Sequence, residues 1–192
     1  MVGIADASPA GAAEAVETGS QTSDFSFPIT TLEDFKRLLA SDNPPTDLVG
    51  CEFSGAVRSA REALGRVAIS VDTRACDIGG MHALLDVRLV VNLCWWEAVF
   101  LFPPCFQQLR ADHDCLQLKI DDGRTFWGCL FVVFGIFATT ANMVVVEQPD
   151  TIVYDYLDWA TYGVDVTEFR TPMYGDERDK VVRLFTVNAK SK

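Results

Sequence analysis

Histidine is scarce in this chain. Only His82 and His113 occur in 192 residues, and neither has a partner at metal-ligand spacing, so no zinc or other metal centre is expected. The six cysteines (Cys51, Cys76, Cys94, Cys105, Cys115 and Cys129) include no C-x-x-C pair. Several lie inside apolar, strand-like runs, as free thiols do in reducing compartments. Positive charge is also short: 16 Lys and Arg face 27 Asp and Glu, a net charge of −11. Proteins that hold nucleic acid usually present a basic field that offsets phosphate, so a general polyanion binder is disfavoured and any DNA contact needs a local site. The first 24 residues are small, polar and acidic, without the basic start and apolar stretch of a signal peptide. They read as a flexible tail over 1–24, followed by a single domain over 25–192 and an intracellular protein.

Long uncharged runs are likewise few, and one is informative. From Phe126 to Val146 the chain reads "FWGCLFVVFGIFATTANMVVV" with no charge, a length that could cross a bilayer. Thr139, Thr140 and Asn142 interrupt it, and a β-branched run follows. The expected reading is therefore a buried helix to about Ala141 and a strand ending at Glu147, with no membrane span. Such a helix, apolar all round, needs cover beyond one sheet face. A second copy of the chain or another protein, seated on residues 126–141, is expected to supply it.

What the chain does contain is an alternation of helical and strand-like segments. "TTLEDFKRLLASDNPP" predicts a short amphipathic helix capped by Thr31, with Leu32, Phe35, Leu38 and Leu39 on one face, stopped at Asn43-Pro44-Pro45. "DLVGC" predicts a buried strand, "FSG" a turn, and "AVRSAREALG" a helix closed by Gly65. "RVAISVD" predicts a strand ending in Asp72, with a looser region to Asp86. "WEAVFLF" predicts the next strand, running into Pro103-Pro104-Cys105, and "KVVRLFTV" the last clear one. The strands are apolar rather than alternating, which is the pattern of a mostly parallel sheet covered by helices on both faces.

In sheets of that kind, ligands bind beyond the carboxyl ends of the strands. Those ends carry Glu52-Phe53-Ser54-Gly55, Asp72, Pro103-Pro104-Cys105 and Glu147-Gln148-Pro149. Gly55 permits close approach of a ligand to the backbone, and the following helix start offers free N–H groups. Asp72, about twenty residues on, stands where an acid grips both hydroxyls of a ribose. A strand-end aspartate exposed to solvent is the plainer alternative.

The blocks "VGCEFSGAVRSAREALGRVAISVD", "LLDV", "AVFLFPPC", "VVVEQP" and "TPMYGDERDKVVRLFTV" share their order with a known family. The chain resembles small phage- and virus-encoded S-adenosylmethionine-dependent methyltransferases, themselves similar to DNA cytosine carbon-5 methyltransferases, over roughly Leu48 to Val187. The resemblance implies an α/β, Rossmann-like class I methyltransferase fold. It implies S-adenosylmethionine as cofactor, with Glu52, Phe53, Ser54 and Gly55 around its methionine part, Asp72 on its ribose, Asp86 facing its adenine amino group and Pro103 in its surroundings. It implies DNA as substrate, Cys105 as the thiol that adds to carbon-6 of cytosine, and Glu147 as the group that holds the ring nitrogen. The chain departs from the family at Phe102, where a polar residue is usual, and at Gln148, where asparagine is usual. The acidic, aromatic stretch after Pro149 also lacks the family's arginines. Two readings therefore stand together: a methyltransferase acting on cytosine, and a degenerate methyltransferase fold kept as a binding or structural protein, such as a virion component. Cys105 is a nucleophile in the first and a buried thiol in the second.

Overall fold

The computed structural model describes residues 29–103, 140–149, 158–170 and 181–188. The tail expected over 1–24, Cys105 and nearly all of the uncharged run from Phe126 lie outside the described residues.

Helix α1, Leu32–Leu39, starts where the sequence places it: Thr31 Oγ1 accepts the Asp34 N–H at 3.1 Å and donates to Asp34 Oδ2 at 2.6 Å. Phe35 and Leu38 are its buried pair, and Phe35 meets Trp96 edge to face, with ring centroids 6.5 Å apart. Strand β1, Asp47–Gly50, leads through a turn into α2, Ala56–Ala63, and Gly65 closes that helix at a positive φ of 76°. Strand β2 is Ala68–Asp72, β3 His82–Leu84 and β4 Trp96–Leu101. Beyond the undescribed segment come β5, Ala141–Pro149, β6, Asp165–Arg170, and β7, Val181–Asn188.

The seven strands form one sheet in the order β3-β2-β1-β4-β5-β7-β6. β1, β2, β3, β4 and β5 run parallel, β7 runs antiparallel to β5, and β6 is antiparallel to β7 and so rejoins the common direction. The strand registers put Leu48, Ile69, Val71, Val99, Leu101, Val144, Val146 and Phe185 on one face, all buried. Helix α2 packs on the other face. Its Arg61 bonds the fully buried Asp47 at 2.8 Å and lies over the Phe100 ring at 5.1 Å, while Arg66 reaches the same carboxylate at 3.1 Å. Asp47 thus fastens α2 and the chain after it to the start of β1.

The structure corrects three sequence expectations. The region between Asp72 and Asp86 is not wholly irregular, because His82–Leu84 forms β3 by pairing with β2. The stretch after Pro149 contains β6, whose exposed pattern gives no apolar signal and whose pairing comes from β7 alone. The helix expected to reach about Ala141 does not include that residue, which opens β5. That strand continues past Glu147 through Gln148 and Pro149, because β7 pairs with it that far. Among the described residues no helix is long and apolar enough to cross a membrane.

Candidate functional site

The turn after β1 is tight and locally strained. Cys51 has a positive φ of 59°, uncommon for a residue with a side chain, and Gly55 follows at 74°. A Cβ on Gly55 would lie 2.6 Å from Ile78, 2.9 Å from Arg58 and 3.0 Å from Cys76, so glycine is required for space as well as for conformation. Glu52, only 7% exposed, folds back over the helix start. Its Oε1 accepts from the Ser54 hydroxyl and from the Ala56 N–H at 3.1 Å. Its Oε2 is buried and has no hydrogen-bond partner among the described residues.

Two further carboxylates stand beside this turn. Asp72 ends β2 and accepts the Arg74 N–H at 2.8 Å. Asp86 caps the 3-10 turn Val87–Leu89 by accepting the Arg88 N–H at 2.9 Å, and also takes the Arg88 guanidinium on both oxygens, Nε lying at 2.9 and 3.0 Å. The Arg88 side chain holds the Asp86 carboxyl below its usual pKa, against a smaller opposing effect of burial. The Cys51 thiol lies in the field of both acids. Burial first, then the charges of Asp72 and Asp86, push its pKa up to about 12. Glu52, Asp72 and Asp86 thus stand at or after the ends of β1, β2 and β3, whose carboxyl ends are neighbours in the parallel sheet.

The loop after β2 is fastened onto this site by a residue that the sequence did not single out. Arg58 of α2 is 1% exposed, and its guanidinium spans the gap to the loop. Nη1 donates to Ser70 Oγ at 3.3 Å and to the Met81 carbonyl at 3.2 Å, and Nη2 donates to the Gly79 carbonyl. A Cβ on Gly80 would lie 2.5 Å from this group. Ser70 Oγ also meets His82 Nδ1 at 2.9 Å, and His82 Nε2 meets the Arg74 carbonyl at 2.9 Å. A carbonyl can only accept, so the His82 ring donates from Nε2 to Arg74, and its Nδ1 is left to accept the Ser70 hydroxyl hydrogen bond. The loop then closes on the turn: Asp77 N–H bonds the Phe53 carbonyl at 2.9 Å, and the Arg74 guanidinium lies 3.5 Å above the Phe53 ring. The only sequence hint of this arrangement is the Gly79-Gly80 pair. No local rule connects it to an arginine 21 residues earlier in the chain.

At the neighbouring strand ends, Pro103 is buried and its carbonyl accepts the Gln148 Nε2–H at 2.9 Å. Gln148 is fully buried, and its Oε1 has no partner among the described residues. Its amide orientation follows from chemistry, since only the NH2 side can bond a carbonyl. Glu147 is half-buried and points to the opposite face of β5 from Gln148. Glu52, Phe53, Ser54, Gly55, Asp72 and Asp86 therefore lie at or after the neighbouring carboxyl ends of β1, β2 and β3, and Pro103 is tied to Gln148 beside Glu147. Cys105 lies outside the described residues. Among the described residues no group of three or more His, Cys, Asp or Glu side chains is placed to hold a metal ion.

No protein-family model matches this chain, and no curated protein matches it by sequence. Solved structures do resemble it in backbone. Human methyltransferase 10 domain containing protein matches at 10% identity and a TM-score of 0.49, covering 90% of this chain and 77% of that one. Dnmt2 methyltransferase from S. pombe matches at 12% identity and a TM-score of 0.46, covering 77% of this chain and 52% of that one. The 23S rRNA methyltransferase ErmE matches at 8% identity and a TM-score of 0.40, covering 86% of this chain and 71% of that one. The decisive features are the strand order and directions of the sheet itself, with β7 reversed between β5 and β6. By that topology the chain has the α/β, Rossmann-like class I methyltransferase fold.

Proposed function

We propose that this protein binds S-adenosylmethionine at the carboxyl ends of β1, β2 and β3 and is a methyltransferase whose target is carbon-5 of cytosine in DNA. The observation that carries the reading is that Glu52, Asp72 and Asp86 stand at or after β1, β2 and β3 at neighbouring carboxyl ends of the parallel sheet. They lie at the strand ends where open α/β sheets hold ligands. One feature of the turn suits such a group: Glu52 Oε2 is buried and lacks a donor among the described residues, whereas the space beside Gly55 is filled by Ile78, Arg58 and Cys76. When bound, the cofactor would supply an electrophilic methyl group.

The chain's own residues have distinct tasks in this reading. Asp72 would accept from the two ribose hydroxyls. Asp86 would accept from an exocyclic amino group, sharing its oxygens with Arg88 or releasing it. Cys105 would add as thiolate to carbon-6 of the base, which turns carbon-5 into a nucleophile, while Glu147 would hold a proton at the ring nitrogen. A base in a duplex has to be turned out of the stack first. With a net charge of −11, DNA would have to be held at a confined site rather than on a broad surface.

Titration with S-adenosylmethionine and S-adenosylhomocysteine tests the cofactor half. Micromolar binding, about −8 kcal/mol, is expected, and no heat from folded protein at millimolar ligand rejects it. DNA carrying 5-fluorocytosine, which traps the covalent adduct, tests the target half. Adduct with wild type and none with Cys105→Ser supports cytosine methylation. Cofactor binding without adduct on varied DNA rejects it and favours the binding-protein alternative.

A further inference from the structure

The carboxylate that follows β3 is crowded by a single residue. Asp86 Oδ1 accepts the Arg88 backbone N–H and the Arg88 Nε–H, each at 2.9 Å, and Oδ2 accepts from Nε at 3.0 Å and from Nη2. A carboxylate offers about four acceptor positions, so a further donor gains a place on Asp86 only when the guanidinium gives one up. The pair is easily parted. The Arg88 side chain is 62% exposed and that of Asp86 30%, and exposed ion pairs hold only weakly. Other cations at this end of the sheet are committed. Among the described residues, Arg74 lies over the Phe53 ring and Arg58 is buried against the Gly79 carbonyl, while Arg61 and Arg66 hold Asp47 at the start of β1.

We propose that Arg88 is a contact for DNA phosphate that is stored on Asp86 and uncovered when the exocyclic amino group of the adenosine cofactor takes the Asp86 carboxylate. This rests on the reading of the protein as an S-adenosylmethionine-dependent DNA methyltransferase and adds an order of events to it. Without cofactor, Arg88 is spent on neutralising Asp86, and a chain of net charge −11 repels a polyanion. With cofactor, an uncharged amino group replaces the guanidinium on the carboxylate. The freed guanidinium turns outward and forks onto a phosphate, a geometry that its planar donors fit. One charged pair is exchanged for another, and DNA is held at this edge by the cofactor-loaded form. Linkage makes the effect reciprocal: whatever cofactor adds to DNA affinity, DNA adds to cofactor affinity.

The experiment measures binding of a fluorescent, cytosine-bearing DNA duplex at low salt, and of S-adenosylhomocysteine by calorimetry, in wild type, Arg88→Gln and Asp86→Asn. In wild type, S-adenosylhomocysteine is expected to tighten DNA binding roughly 2- to 5-fold, the range of an exposed ion pair. S-inosylhomocysteine, in which a carbonyl replaces the amino group, is expected to leave DNA binding unchanged. Arg88→Gln, freed of the competing guanidinium, should bind S-adenosylhomocysteine more tightly than wild type by about the same factor when no DNA is present. It should also lose the coupling, and its salt slope with cofactor bound should fall by about one relative to wild type. Asp86→Asn, which releases Arg88, should bind DNA without cofactor as tightly as wild type does with it, and adding Arg88→Gln should remove that gain. Thermal melts confirm that each variant is folded. Coupling that survives in Arg88→Gln, cofactor binding by that variant no tighter than in wild type, or equal coupling by the inosine analogue overturns the proposal while leaving the cofactor site standing. Cofactor binding without any DNA binding overturns it together with the DNA target. Folded wild type that binds no S-adenosylhomocysteine overturns the cofactor site and the proposal with it.

Discussion

Replacing Arg58 with alanine is expected to lower unfolding stability by about 2–3 kcal/mol, from the cavity left by a large buried side chain and the lost hydrogen bonds. The residue is 1% exposed, and its guanidinium serves Ser70 Oγ and the carbonyls of Met81 and Gly79. Truncation takes one donor from each of these acceptors, although the Met81 carbonyl keeps the Ser70 N–H and the Gly79 carbonyl the Cys76 thiol, and it opens a cavity beside Gly80. Arg58→Met separates the charge from its task. Where a buried ion pair is swapped for apolar side chains of equal size, the change is often neutral, because both partners go together. Here the partners include backbone carbonyls that no side-chain replacement can remove, so Arg58→Met should also destabilise. Urea denaturation measures both variants through a shifted midpoint at unchanged slope. The loop after β2 should also become cleavable by protease at concentrations that leave wild type intact. A loss under 1 kcal/mol in Arg58→Ala would show that the loop stands without the clamp.

The second large effect concerns Cys51. With its pKa at about 12, this thiol holds far less thiolate at pH 8 than an ordinary cysteine, whose pKa is about 8.5. The thiolate is the reacting form, so alkylation by iodoacetamide in the folded protein should run roughly a thousandfold slower than that of a free thiol. Mapping the label by mass spectrometry decides it, and labelling of Cys51 at the free-thiol rate refutes the burial of its thiol at the end of β1. The same shift fixes a pH dependence. Below about pH 8.5 the thiol is neutral folded and unfolded, and its contribution is fully present. Between there and about 12 only the unfolded chain ionises, so stability is lost as pH rises, by up to about 1.4 kcal/mol per pH unit. Cys51→Ser should flatten that alkaline fall relative to wild type. Asp86 acts in the opposite window: its lowered pKa makes its pairing with Arg88 present above the usual carboxylate range and lost as the solution is acidified through it.

Much of this fold was legible in the residues. The apolar runs at Asp47, Ala68, Trp96 and Val181 read as strands because a strand buried on both faces has to be apolar along its length. Thr31, Gly55 and Gly65 marked where α1 starts, where α2 starts and where α2 ends, since capping and positive φ are local requirements. The placing of Asp72 at the end of β2 and of Glu52 in the turn also follows from local sequence. What the chain could not announce was anything supplied by a distant partner. β3 and β6 carry too little apolar pattern to be seen and exist because β2 and β7 lend them hydrogen bonds. β5 runs through Pro149 rather than stopping at Glu147 because β7 pairs beside it. The burial of Arg58, the hold of Gln148 on Pro103, the engagement of Asp86 by Arg88 and the orphaned oxygen of Glu52 are likewise decided only in three dimensions. Hydrogen-bond satisfaction and burial belong to pairs of groups brought together by the fold, and one-dimensional pattern records each member of such a pair without its partner.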